Sequence, residues 1–120
     1  MEINIVKEFT DTPGGRYIKQ GPYSGEEFRE TILKVKYDYC LLNKEKLIIN
    51  FDGGYGYPIS FIDEAFGGMV RDGYSAKKMI KNMVFITKDQ PSLSEKIVTC
   101  IKEHDKIKKN NKIKVLFNKK

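Results

Sequence analysis

The chain has 120 residues, 40% of them hydrophobic and 32% charged, a length that suits one domain with a single core. Its uninterrupted apolar runs stop at four residues, as in Met83-Val84-Phe85-Ile86, far short of a membrane span. Residues 102–120 hold eight lysines against only Glu103 and Asp105, so the formal charge of +6 resides there, and the balanced remainder is not a basic nucleic-acid binder.

Met1-Glu2-Ile3-Asn4-Ile5 has no basic or apolar signal-peptide region, and Cys40 and Cys100 lack metal-ligand spacing. Free thiols in a cytoplasmic protein are therefore expected. Residues 2–7 alternate polar and apolar at first and are predicted as a strand with one buried face. Asp11-Thr12-Pro13-Gly14-Gly15 is a turn by its chemistry. Arg16-Tyr17-Ile18-Lys19 suits a short second strand paired with the first, ended by Gly21-Pro22. Ser24 and Glu27 have capping-box spacing. Phe28, Ile32, Val35, Tyr39 and Leu42 then recur at helical spacing, which predicts an amphipathic helix ending near Asn43.

Residues 47–70, LIINFDGGYGYPISFIDEAFGGMV, organise the rest. Leu47-Ile48-Ile49, closed by Phe51, reads as a buried strand. Asp52-Gly53-Gly54 stops it, because glycine accepts the positive φ that a strand forbids. Tyr55-Gly56-Tyr57-Pro58-Ile59 continues as a loop, and Pro58 keeps Tyr57 out of the helical region. Ser60 is placed to cap a helix, with Asp63 three residues on. Phe61, Ile62, Ala65, Phe66, Met69 and Val70 form a wide apolar stripe along it. Strand, glycine loop and helix present a loop at the carboxyl end of a strand. No G-K-[ST] follows the glycines, and Gly53, Gly54 and Gly56 do not fit G-x-G-x-x-G, so neither nucleotide fingerprint is present.

Arg71-Asp72-Gly73 ends that helix, and Ser75 caps a short one carrying Met79 and Ile80. Met83 to Ile86 is a buried strand, Asp89-Gln90-Pro91 a turn, and Ser92-Leu93-Ser94-Glu95 another capping box. Leu93, Ile97, Cys100, Ile101, His104 and Ile107 line one face of the helix that follows, with Asn110-Asn111 predicted to break it. Residues 110–120 form a basic tail whose 112–117 stretch begins with the alternation of a last edge strand, where lysine discourages unwanted pairing. The order predicts one α/β domain over 1–109, with an open mixed sheet and helices mainly on one face.

The chemistry-bearing residues are few. Arg16 is placed either for a salt bridge or for an anion, within reach of the Asp52 loop. Asp63 and Glu64, adjacent in a first helical turn, read as surface groups that compensate the helix dipole. His104, the only histidine, lies among apolar positions, and no second histidine is present to complete a triad with serine or cysteine. No enzyme activity, cofactor or metal is expected. A hydrolase using Asp52 or Asp63 has little behind it.

Thr12-Pro13-Gly14-Gly15-Arg16-Tyr17, the run from Gly21 to Glu30 (GPYSGEEFRE) and the run from Asp52 to Gly68 (DGGYGYPISFIDEAFGG) resemble a bacterial STAS-like domain family of unknown function. The element order is similar to the STAS fold of anti-sigma factor antagonists. That resemblance implies a non-enzymatic, partner-switching regulatory module whose partner is a histidine-kinase-like ATPase or anti-sigma-type regulator. The serine that such regulators carry for phosphorylation falls on Ser60. Pro58, Ile59 and Phe61 depart from the D-S-S-G context of that serine. The surface formed by Asp52, Gly53, Gly54, Tyr55, Gly56 and Tyr57, with Arg16, is the predicted partner- or anion-binding site. The alternative is a small-anion or nucleotide site at the glycine loop and the Ser60 helix terminus.

Overall fold

The computed structural model describes residues 1–118. Three parallel strands, β1 (Glu2–Asn4), β2 (Leu47–Asn50) and β3 (Met83–Ile86), stand in the order β1-β2-β3, so the apolar run of β2 is central as its composition requires. Ile3, Leu47, Ile49 and Met83 are buried, whereas Glu2, Ile48, Asn50 and Val84 on alternate positions are half-buried or exposed. The helices therefore cover one face of the sheet, as expected.

Of the strands predicted before residue 25, one is shorter than expected and the other is absent among the described residues. The first strand stops at Asn4 because its side chain accepts the Lys7 N–H and turns the chain into the helix α1 (Ile5–Glu8). Residues 16–19 do not pair with it. Ile18–Gln20 is a 3-10 turn, and the N–H groups of Tyr17 and Ile18 donate to the Gln20 and Glu26 side chains. With those donors satisfied locally, no antiparallel hairpin forms and the sheet has only parallel pairs.

Helix α2 runs over residues 25–43 in three segments, Gly25–Phe28, a π turn Arg29–Leu33, and Lys34–Asn43. Ser24 caps it by accepting the Glu27 N–H at 3.0 Å. Glu27 reaches back to the Tyr23 N–H rather than to that of Ser24. The predicted apolar stripe is out of register beyond the first turn. Val35, Tyr39 and Leu42 are exposed, and the core side is Phe28, Leu33, Tyr37 and Cys40. The π turn adds one residue to a turn, closing with the Lys34 N–H on the Arg29 carbonyl, and displaces the later core positions from the predicted ones.

Helix α3 spans residues 59–71 and contains a second π turn, Asp63–Gly67. Phe61, Ile62, Ala65, Phe66, Met69 and Val70 are all fully buried. The Phe66 ring lies 6.5 Å from Phe28, 6.0 Å from Phe51 and 5.7 Å from Phe85, joining α2, β2 and β3. Helix α4 (Ala76–Asn82) is capped by Ser75, as predicted. Helix α5 (Leu93–Asn118) packs on α3 through Leu93, Ile97, Cys100 and Ile101.

Asn110-Asn111 does not break α5, and 112–117 is helix rather than edge strand. Asparagine costs at most about 0.7 kcal/mol inside a helix, and no Gly or Pro follows within the described residues. Both cysteines are buried free thiols. No helix among the described residues is long and apolar enough to cross a membrane.

Candidate functional site

The 52–58 loop leaves the carboxyl end of the central strand and is held from three sides. The Phe51 N–H donates to the Ile86 carbonyl at 2.9 Å, carrying the β2–β3 pairing one step further. Asp52 and Asp89 tie the loops beyond the two strands reciprocally. Asp89 N–H donates to Asp52 Oδ1 at 3.0 Å, and Gly53 N–H donates to Asp89 Oδ2 at 2.8 Å. The Tyr55 N–H donates to the Asp11 carbonyl at 3.1 Å. Gly53 and Gly56 have φ of +94° and +120°, values that penalise any side chain, so these two glycines are needed by the loop's path.

The side chains divide. Tyr57 turns inward, and its hydroxyl donates to the Phe51 carbonyl at 3.0 Å. Burial, then the nearby Asp52 charge, pushes that phenol well above its ordinary range. Tyr55 turns outward and is 86% exposed, and Ile59, at the start of α3, is 59% exposed. The loop thus presents two large side chains from a backbone pinned on both flanks.

Ser60 stands beside them, half-buried, but it does not cap the helix. The N-cap is Pro58, which has no side-chain donor or acceptor, and the helix begins at Ile59. The S-x-x-D box is not formed. Pro58 supplies the entry conformation itself, with φ −58° and ψ 144°, so the chain enters the helix two residues earlier than a serine cap would set it. Asp63 is engaged elsewhere, in the buried charge cluster beneath.

That cluster is where the sequence reading departs most from the fold. Arg16 does not reach the Asp52 loop. Its Nη1 binds Asp63 Oδ2 at 2.5 Å and lies 3.6 Å from Glu64 Oε1. His104 Nε2 lies 2.9 Å from Asp63 Oδ1, and because an ionised carboxylate only accepts, that nitrogen carries the proton. Glu64 is 1% exposed, not a surface group. Its Oε2 accepts from Arg29 Nη1 at 2.8 Å and from Arg71 Nη2. Arg29, 4% exposed, also donates to the Glu64 carbonyl and pairs with Asp72 at 3.2 Å, which Lys34 meets at 2.9 Å. Burial pushes the Asp63 and Glu64 carboxyls up. The hydrogen bonds from Arg16 and His104 to Asp63, and from Arg71 and Arg29 to Glu64, outweigh it and hold both below the ordinary carboxylate range.

The two π turns meet here, one starting at Arg29 and the other holding Asp63 and Glu64. The glycines explain how. A Cβ on Gly68 would collide with the Arg29 guanidinium, and one on Gly67 with the His104 ring. A Cβ on Gly25 would stand 2.5 Å from the Phe61 carbonyl. Two successive glycines inside a helix, each costing about 1 kcal/mol, were the sequence signal that a charged partner lies against this backbone. Arg29, Arg71 and Asp72 belong to the cluster, a role that neither the Gly21–Glu30 run nor the helix-ending Arg71-Asp72-Gly73 signals.

Of the predicted site residues, Asp52, Gly53, Gly54, Tyr55, Gly56, Tyr57 and Ser60 lie together at the strand-to-helix passage. Arg16 lies apart, one helical turn beyond Ser60, at a cleft that it shares with Ile59, Asp63, Lys96 and Cys100. Among the described residues no group of three or more His, Cys, Asp or Glu side chains is arranged to hold a metal ion. Residues 24–93 match a family described as a STAS-like domain of unknown function. No curated protein and no solved structure matches the chain.

Proposed function

The chain belongs to the STAS-like domain family of unknown function, and from that premise we propose that it is a non-enzymatic regulatory module that binds a protein partner through the 53–60 surface. The observation that carries this reading is the outward display of Tyr55 and Ile59 from a loop locked by the Asp52–Asp89 tie. Tyrosine is enriched at interface hot spots, and a backbone ordered before binding lowers the entropy lost when a partner docks. The glycines beside them let a partner backbone come close.

The groups with chemical potential are committed to structure, which favours binding over catalysis. His104 is held by Asp63, and burial pushes the Cys100 thiol up, away from the reactive thiolate. Phosphorylation of Ser60 would add up to two negative charges beside Ile59, at a helix end that tolerates them, and would change that surface for a partner. A histidine-kinase-like ATPase is the partner class that the family resemblance suggests.

A photo-crosslinking phenylalanine analogue in place of Tyr55 would capture the partner for identification, and titration of that purified partner would follow. Tyr55→Ala is expected to weaken binding by roughly 30-fold or more, the loss of about 2 kcal/mol typical of a hot spot. Ser60→Asp is expected to weaken it too, whereas Ser60→Ala retains it. Equal affinity for Tyr55→Ala and the parent would remove this surface as the interface. Equal affinity for Ser60→Asp would remove the switch alone. A small-anion site at the same helix terminus is the second reading, favoured by the lack of a capping side chain there. A rise in melting temperature with phosphate or nucleotide would favour it.

A further inference from the structure

Helix α5 outlasts the body it packs on. Among the described residues its last buried side chain is Ile101, and its last hydrogen bond to the body is from the Lys108 ammonium to the Val70 carbonyl, at 3.4 Å. Every described side chain from Lys106 to Leu116 is exposed. The helix has 26 residues and so spans about 39 Å, in a molecule measuring 53 × 35 × 25 Å. The part that leaves the body is also the part that holds the chain's excess charge.

We propose that this projecting helix binds the phosphate backbone of double-stranded nucleic acid without sequence preference. Lys102, Lys106 and Lys109 recur at i, i+4 and i+7 and so share one stripe of the helix, with Lys112 on its flank. They span about 15 Å of helix axis, a length over which a duplex offers roughly nine phosphate charges. Lys109 is paired with Asp105, at 3.0 Å, while 72% exposed, so water screens that pair and a phosphate can replace it. Lys108 and Lys114 lie on other sides of the axis. Exposed Ile113 and Leu116, three residues apart, lie on the same side as that lysine stripe, whereas exposed Ile107 and Val115 lie on the opposite side, so these apolar positions are not segregated from the lysines. A membrane-surface helix needs an apolar stripe segregated from its lysines. A polyanion needs only the charge.

The test is fluorescence anisotropy of the full chain with a labelled mixed-sequence DNA duplex. With about four phosphate contacts, affinity should fall on the order of 100-fold between about 50 mM and 200 mM salt. Replacing Lys102, Lys106, Lys109 and Lys112 together by Gln should weaken binding at low salt at least tenfold and flatten the salt dependence. The same four changed to Arg should restore it. Replacing Lys46, Lys77, Lys78 and Lys81 by Gln removes equal charge from exposed positions elsewhere and should leave most of the binding. No salt-dependent binding by the parent chain would overturn the proposal. So would equal losses in the two Gln variants. Lysine-dependent adsorption to phosphatidylserine vesicles without duplex binding would assign the helix to membranes instead.

Discussion

At the residue scale, the cluster around Glu64 concentrates the energetic risk of this fold. Glu64 and Arg29 are nearly excluded from water: Arg29 and Arg71 meet Glu64 Oε2, while the buried Oε1 has no hydrogen-bond partner among the described residues and only the Arg16 guanidinium 3.6 Å away. Removing one member strands the other, which costs about 3–5 kcal/mol for a buried pair. Glu64→Ala is expected to lose that much by denaturant titration. Arg71→Ala, at a side chain 47% exposed, is expected to lose no more than about 1 kcal/mol. The same groups set the acid limit. Asp63, Glu64 and Asp72 all hold their pKa below the ordinary carboxylate value: burial pushes them up, and their basic partners more than reverse it. Between folded and unfolded pKa the unfolded chain binds more protons, so stability is fully present above about pH 5 and falls as pH drops through 4 and below. Melting temperature measured from pH 7 to pH 3 should show that fall, and Asp63→Asn should make it shallower. Ser60→Ala should leave stability within about 0.5 kcal/mol, because the hydroxyl caps nothing.

At the scale of elements, α3 is the member that the others surround. It meets the sheet through Phe66, α2 through Gly68 and Phe61, and α5 through Gly67. Phe66→Ala should cost about 3–5 kcal/mol, since the ring fills the junction of α2, β2 and β3. Gly68→Ala should also destabilise. Alanine gains about 1 kcal/mol of helix propensity over glycine, yet its methyl falls on the buried Arg29 guanidinium, which is tied to Glu64 and Asp72 and has nowhere to move. A rise in melting temperature for Gly68→Ala would show that Arg29 can shift after all. The boundaries of these elements were mostly legible. Ser24, Ser75 and Gly73 punctuate the chain where the structure begins and ends helices, because capping is a contact between neighbours in sequence. The π turns were not legible. Both coincide with the Arg29–Glu64 pair, a contact between residues 35 positions apart that leaves no mark in local spacing.

At the scale of the whole molecule, the compact body ends near Lys108 and the basic helix continues past it. Deleting residues 110–120 should lower the melting temperature by no more than about 4 °C, since the described side chains removed are exposed. The sequence by itself determined the α/β class, the central place of 47–50, the burial of Phe66 and its neighbours, and the separation of charge between body and tail. Each of these follows from composition or from a period of two or 3.6, which hydrophobic burial writes into the chain directly. It also brought the loop residues from Asp52 to Ser60 together, because they are contiguous. Only the tertiary structure decided that Arg16 serves Asp63 rather than the Asp52 loop, that Glu64 is buried, that α2 shifts register after Phe28, and that 112–117 remains helix. Each of these rests on a balance between residues distant in the chain: a charge leaves water only where its counter-charge is already placed, and a stretch joins a sheet only where an edge is within reach. Neither condition is written in the spacing of the residues concerned.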